Sequence, residues 1–334
     1  MNDTITLAHG AGGTQTAALI DGVFRANFDN PAFTSDDAAM LDFSGGTYAF
    51  TTDGFIVSPW SFPGGNIGKL SVCGTVNDLA CMGAQPLWIS CAFVIEEGFA
   101  VKGLETIAES MAAAAKEAGA GIVAGDTKVA GRGQCGGIFI TTSGIGRRAE
   151  GVSLSGAFAK PGDAVIVTRD IGRHGCAVLL ARGDYGISAD CPSDCAPLWG
   201  TVSSLISLGC GLHVIRDATR GGVGTVLHEI ASQSGAGVEI DAESVPVSGE
   251  VSGVCGMLGL EPLYLACEGT LVITAPQDCA GRIVSQLRRG RYSRSAAVIG
   301  RVTDDMPGRV TVRTASGGVT LLPQPGGELL PRIC

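Results

Sequence analysis

Several aspartates in the first half of the chain stand where a hard cation could use them. Asp36 and Asp37 precede Ala38-Ala39, Asp53 lies between Thr52 and Gly54, Asp78 follows Asn77, and Asp126 sits in Gly125-Asp126-Thr127. Each has small residues beside it in otherwise apolar surroundings, which places carboxylates at strand ends and corners rather than on a random polar surface. Mg²⁺ is usually held by a few such oxygens together with substrate phosphates. Singly, each has a plainer explanation as a turn residue or a solvated helix position; gathered between residues 36 and 126, they point to a cation site. A second chemistry is offered by Cys334, which closes the stretch Pro323-Gln-Pro-Gly-Gly-Glu-Leu-Leu-Pro-Arg-Ile-Cys334. Its prolines and glycines rule out a stable helix or central strand, so a mobile arm is expected. A frayed end is one reading of it. Leu329, Leu330 and Ile333 favour another, in which the arm docks in the body and Cys334 carries a substrate there.

Two other stretches invite a phosphate. His9-Gly10-Ala11-Gly12-Gly13-Thr14 can turn several backbone N–H groups toward an anion. Gly64-Gly65-Asn66-Ile67-Gly68-Lys69-Leu70 imitates a P-loop, but Pro63 stands in place of the first glycine and Leu70 in place of the hydroxyl residue, so a Walker A site is rejected. The 12 cysteines are scattered, and most of them, in apolar segments, read as small buried hydrophobes in a reducing cytosol. Cys191, Cys195, Cys210 and His213 match no common structural zinc spacing.

The elements that must position these residues form two halves. The 334-residue chain is long enough for two ordinary domains, and its net charge of −9 argues against nucleic acid and anionic membranes as partners. It lacks a long apolar run and a leader-like start, so a soluble cytoplasmic protein is expected. After the glycine-rich segment 1–35, residues 36–150 read as an α+β unit in the ferredoxin manner. Strands are expected at 48–52, 87–95, 121–129 and 136–146, with helices over 66–83 and from Leu104 to Gly119. A Ser/Gly-rich joint over 151–160 opens the second half, 151–322, an alternation of strands and helices that ends in a hairpin around 310–322. The tail is 323–334.

The series Asp36-Asp37-Ala38-Ala39, Thr51-Thr52-Asp53-Gly54, Val76-Asn77-Asp78-Leu79-Ala80-Cys81-Met82-Gly83-Ala84 and Gly125-Asp126-Thr127 resembles the ATP-binding superfamily of aminoimidazole ribonucleotide (AIR) synthetase, thiamine-monophosphate kinase and selenophosphate synthetase. Within it, the chain resembles the HypE family of hydrogenase maturation factors through His9-Gly10-Ala11-Gly12-Gly13, Gly125-Asp126-Thr127-Lys128-Val129, Arg216-Asp217-Ala218-Thr219-Arg220-Gly221-Gly222, Ala266-Cys267-Glu268-Gly269-Thr270 and the ending Pro331-Arg332-Ile333-Cys334. The resemblance spans nearly the whole chain. It implies a two-domain AIR synthetase (PurM)-like fold whose N-terminal sheet pairs in a homodimer. It also implies an ATP-dependent dehydration of a carboxamide on Cys334 to a thiocyanate. The carboxamide is loaded by the carbamoyltransferase HypF, and the cyano group passes to iron in a HypC–HypD complex and becomes a ligand of [NiFe]-hydrogenase. On this reading Asp37, Asp53, Asp78, Asp126 and Asp217 hold Mg²⁺; His9, Gly12, Gly13, Lys69, Asn77, Gly125 and Thr127 meet the nucleotide; and Lys128 and Glu268 handle protons. Another kinase or synthetase of the superfamily, or a non-catalytic scaffold with a docking tail, remain the alternatives.

Overall fold

In the computed structural model, which describes residues 13–21 and 36–324, two sheets with their own helices meet along one buried helix. The first half begins with a short helix α1 (Thr14–Leu19), followed by the hairpin β1 (Ala39–Phe43) and β2 (Gly46–Phe55). A two-stranded ribbon, β3 (Ser61–Phe62) and β4 (Gly65–Asn66), leads into α2 (Ile67–Cys81). Then come β5 (Ala84–Glu96), α3 (Val101–Ala118), β6 (Gly121–Ala130) and β7 (Ile138–Arg148). The sheet order is β1-β2-β7-β5-β6, with β5 and β6 parallel across the α3 connection and the other pairs antiparallel. The α+β class and layering expected from the sequence are present: α2 and α3 cover one face of this sheet.

Asn66 starts α2, its Oδ1 accepting from the N–H groups of Gly68 and Lys69. The expected apolar positions Ile67, Leu70, Cys73, Val76 and Ala80 are all buried, and so are most others on the helix. A helix buried along most of its surface must be enclosed on nearly all sides. Here one side meets the first sheet and α3, where Gly68 lies against the Ile107 backbone so closely that a Cβ would come within 2.4 Å of its carbonyl oxygen. The other side, through Ala80 and Cys81, joins the core of the second half. α3 is ordinary by comparison. It buries Ile107, Met111, Ala114, Ala115 and Ala118 and stops at the left-handed Gly119, as its spacing predicted.

The second half runs β8 (Asp163–Val167), α4 (Arg173–Arg182), α5 (Trp199–Ile206), β9 (Val214–Asp217), α6 (Gly222–Ser234), β10 (Gly237–Asp241), α7 (Gly249–Leu258), β11 (Leu271–Pro276), α8 (Ala280–Arg289), β12 (Ala297–Thr303), β13 (Val310–Arg313) and β14 (Val319–Leu321). Its sheet order is β14-β13-β10-β12-β8-β11-β9. β8 is buried at every position because both faces are covered: Val165 and Val167 join one core with α6, while Ala164 and Ile166 join another with α5 and α8. The helix α7 has no counterpart in the sequence reading. Its interior Gly253 and Gly256 lower the local helical preference, and it forms by packing Val251, Val254 and Cys255 on α4 and Leu265. Among the described residues, no helix is long and apolar enough to cross a membrane.

Candidate active site

Five of the sequence-selected carboxylates meet at the seam between the halves. β2 brings Asp53, on the face turned toward α2, and α2 brings Asp78. They approach because Gly74 leaves room: a Cβ there would come within 2.7 Å of the Phe55 ring. Thr51 Oγ1 lies 2.8 Å from Asp78 Oδ2 and 3.2 Å from the Asp37 carbonyl, within reach of donating its one proton to either, so one hydroxyl bridges β2, α2 and the segment before β1. From the second half, β9 ends on Asp217, and the turn before β11 presents Glu268. Asp37, Asp53, Asp78, Asp217 and Glu268 all line a cavity of about 320 Å³, together with Thr16 and Ile20 of the first segment.

Arg216 governs the electrostatics of the cavity wall. Its Nε lies 2.9 Å from Asp37 Oδ1 and its Nη2 2.7 Å from Glu229 Oε2, an ion pair across the two halves. Charge in the cavity is nonetheless acidic. Burial pushes the Asp37 carboxyl well above its usual range against the pull of Arg216. Burial, with Asp53, Asp217 and Asp37 nearby, does the same to Asp78. Asp53 is raised by burial and held back by Arg220, and Asp217 is pushed up to about 6, chiefly by burial. Glu268 is raised by burial, with Cys195 and Asp217 adding to it. Burial makes each of these carboxylates costly to ionise, and the cluster holds more carboxylates than the two arginines, Arg216 and Arg220, can balance. The donor atoms leave room for a further cation: Asp37 Oδ2 is buried with no hydrogen-bond partner, and oxygens of Asp37 and Asp217 lie within 4.8 Å of one another and of the Cys81 sulfur. Carboxylate oxygens suit a hard divalent cation. The Cys81 thiol, its pKa raised by burial, serves as packing behind them.

The other selected residues stand elsewhere. Gly13 precedes α1, whose Thr16 faces the cavity; His9, Gly12 and Cys334 lie outside the described residues, as do Leu329, Leu330 and Ile333. Lys69 donates to the Gly64 carbonyl at 3.0 Å and closes the turn before α2 without lining the cavity. Asn77 is 2% exposed and fully engaged: its amide donates to the Ala196 and Glu268 carbonyls and accepts from the Leu198 N–H. Gly125, Asp126, Thr127 and Lys128 are on the exposed edge strand β6, where Asp126 and Lys128 pair with each other at 2.9 Å. The register runs Asp126, Ala92, Thr141, Gly54 across the sheet, three strand spacings or about 14 Å, and this row is on the face away from α2 and α3. Within one chain, Asp126 and Lys128 are therefore apart from the cavity carboxylates.

Sequence reasoning passed over Arg216, Arg220, Thr51 and Glu229 as site residues. Two arginines flanking Asp217-Ala218-Thr219 were a usable signal, since a cation beside a strand-end carboxylate balances it. Thr51 and Glu229 had none. The four zinc-like candidates separate: Cys191 packs with Cys176 and Cys255, Cys195 joins the core of the first half, and Cys210 that of the second.

The AIR synthase related protein, N-terminal domain, matches residues 35–148, and the AIR synthase related protein, C-terminal domain, matches residues 160–313. Carbamoyl dehydratase HypE of Rhodobacter capsulatus is 44% identical over 337 residues, covering 100% of this chain and 99% of that one. Among solved structures, a HypE–HypF complex contains a chain 46% identical, with a TM-score of 0.88 over 92% of this chain and 100% of that one. A hydrogenase maturation protein HypE in complex with ATP is 43% identical, with a TM-score of 0.83 over 99% of this chain and 100% of that one.

Proposed function

Since the chain belongs to the AIR synthase-related family and, within it, to the carbamoyl dehydratases HypE, we propose that the cavity between its halves is where a carboxamide carried on Cys334 loses water. The protein is an ATP-dependent dehydratase of hydrogenase maturation, with HypF as a partner. The observation that carries the site assignment is the convergence of Asp37, Asp53, Asp78, Asp217 and Glu268, from both halves of the chain, on one cavity.

Dehydration of R–S–C(=O)–NH₂ breaks the C–O bond and removes both N–H protons, leaving R–S–C≡N. Oxygen departs only as a good leaving group, so the γ-phosphoryl of ATP goes to it and it leaves as phosphate. Such a transfer depends on positioning and charge neutralisation more than on covalent help from the protein. Asp37, Asp53, Asp78 and Asp217 would hold Mg²⁺, which when bound neutralises phosphate charge. Glu268 takes a proton from the nitrogen: burial makes its carboxylate a stronger base than an exposed one. The second proton leaves with phosphate or to solvent. Arg220, at the cavity wall, is placed to balance charge that develops there.

A homodimer completes this reading. The face of the first sheet away from α2 and α3 exposes Phe50, Trp88 and Val94. Exposed aromatic and aliphatic side chains on one open sheet face suit a partner, and a second copy supplies a self-complementary one. Asp126 and Lys128 stand on this face, so any part they take in the phosphate site comes through that pairing. Cyanide would pass onward to a HypC–HypD complex, in the cytoplasm. Mass spectrometry of Cys334 tests the assignment: after loading by HypF, addition of ATP and Mg²⁺ should remove the mass of one water from the tail peptide. A loaded tail unchanged by ATP overturns it.

A further inference from the structure

Glu268 is held by a carboxylate that the reaction itself does not use. Asp194 lies in the long connection between α4 and α5 and is 3% exposed. Its Oδ1 accepts from the Glu268 N–H at 3.1 Å, and its Oδ2 accepts from the Gly269 N–H at 3.0 Å and from Thr270 Oγ1 at 2.9 Å. Three donors from three consecutive residues thus converge on one buried side chain. Gly269 is required by the same approach, because a Cβ there would stand 1.9 Å from the Asp194 carbonyl oxygen. On the far side of Glu268 its carbonyl accepts from the Ala196 N–H at 3.4 Å and from Asn77 at 3.4 Å. The backbone of Glu268 is therefore fixed on both sides of its Cα, and on the carbonyl side the fixing runs through Asn77 to α2, the helix of Asp78.

We propose that Asp194 is a positioning residue for the dehydration, fixing the direction in which Glu268 enters the cavity; this rests on the reading of Glu268 as the proton acceptor. Charge-assisted bonds to a carboxylate are the stronger kind, and a buried network in which every member is satisfied holds one geometry. An asparagine at 194 keeps the shape but turns an NH₂ toward N–H or O–H donors. The turn then has to shift, and a shift near 1 Å at a reacting group is enough to slow turnover on the order of a hundredfold.

The experiment compares Asp194→Asn, Glu268→Gln and the double variant in the full chain loaded by HypF, with single-turnover loss of water read by mass spectrometry. Nucleotide affinity is read by calorimetry and stability by thermal unfolding. Asp194→Asn should slow turnover about ten- to a hundredfold, with nucleotide affinity within about twofold. The double variant should be no slower than Glu268→Gln alone, since Asp194 acts only through Glu268. Thr270→Val, which removes one of the three donors, should fall between Asp194→Asn and the parent, and Thr270→Ser should restore the parental rate; this pair serves if Asp194→Asn fails to fold. A further loss from Asp194→Asn in the Glu268→Gln background overturns the proposal, and so does parental turnover in both Asp194→Asn and Thr270→Val. A parental rate in Glu268→Gln overturns instead the proton-acceptor reading on which the proposal stands, and is distinguishable because the singles at 194 and 270 are then measured against an unimpaired Glu268→Gln.

Discussion

Replacing Asp217 by asparagine should make the metal-free protein more stable while removing its function. Asp217 is pushed up to about 6 from 3.8, with burial the largest cause and Asp53 and Glu229 adding to it against Arg216 and Arg220. Each pH unit of that difference is worth about 1.4 kcal/mol, so the ionised side chain costs the fold at most about 3 kcal/mol. The sign follows from linkage. The folded protein binds the Asp217 proton more tightly than the unfolded chain does, so this group's contribution is most favourable below 3.8 and is lost as pH rises through about 6. Asp217→Asn removes the group from that balance. The variant's advantage should be about 1 kcal/mol near pH 4.5 and about 3 kcal/mol near pH 7.5. Urea unfolding in the presence of a chelator measures it, with the midpoint read at both pH values and m held equal. Added Mg²⁺ and ATP should stabilise the parent and leave the variant unmoved, because binding to the folded state alone raises apparent stability. An Asp217→Asn protein that is no more stable than the parent near pH 7.5, or whose advantage does not change with pH, would refute the account of the cavity as a cluster of carboxylates awaiting a countercharge.

Asp78→Asn should likewise weaken Mg²⁺-dependent ATP binding without unfolding the protein, which equilibrium binding with and without Mg²⁺ can decide. Asn77→Ala strips the Leu198 N–H and the Ala196 carbonyl of a buried partner and should cost about 2–6 kcal/mol, at about 1–3 kcal/mol for each group left unsatisfied; chemical denaturation will show it, and an unchanged midpoint would mean that water replaces the side chain. Cys334→Ala should bind nucleotide normally but take up no carboxamide, visible as a tail peptide of constant mass after treatment with HypF. Trp88→Glu, at a site 52% exposed on the open face of the first sheet, should leave each chain folded and shift light scattering from dimer to monomer; scattering at monomer mass for the parent would remove the dimer altogether.

Local patterns carried much of the fold into view. α2 and α3 could be read from helical spacing and from Gly119, and the strands from apolar runs between turn residues. Asp37, Asp53 and Asp78 could be singled out because each breaks an apolar or small-residue setting, whereas Asp217 came into view only through the family resemblance of Arg216-Asp217-Ala218-Thr219-Arg220. What the spacing could not show is facing. Asp126 has the same local appearance as Asp53, yet the pleat and four-strand register put it on the opposite side of the sheet. Asn77 looked like a polar neighbour of Asp78 suited to a nucleotide, but one residue of rotation on α2 turns it into the loop at 196–198, where its hydrogen bonds are spent. Asp194 had no signal at all, since its partners are some seventy residues away in the chain. α7 was hidden by its glycines and exists through tertiary packing.

The enclosure of α2 also bears on how far this protein can be taken apart and rebuilt. A helix that is core for two sheets at once belongs to neither half alone. Exchanging residues 1–150 for those of a relative would place a foreign Asn77 equivalent, and foreign side chains at Ala80 and Cys81, against the native 194–198 segment and the native core around Ile166 and Ile215. Such a chimera should fold poorly unless the connection between α4 and α5 travels with α2, even though the two lie on opposite sides of the apparent joint. The unit that can be transplanted intact is the seam and the segments that close it, not either of the halves that a reading along the chain would cut out.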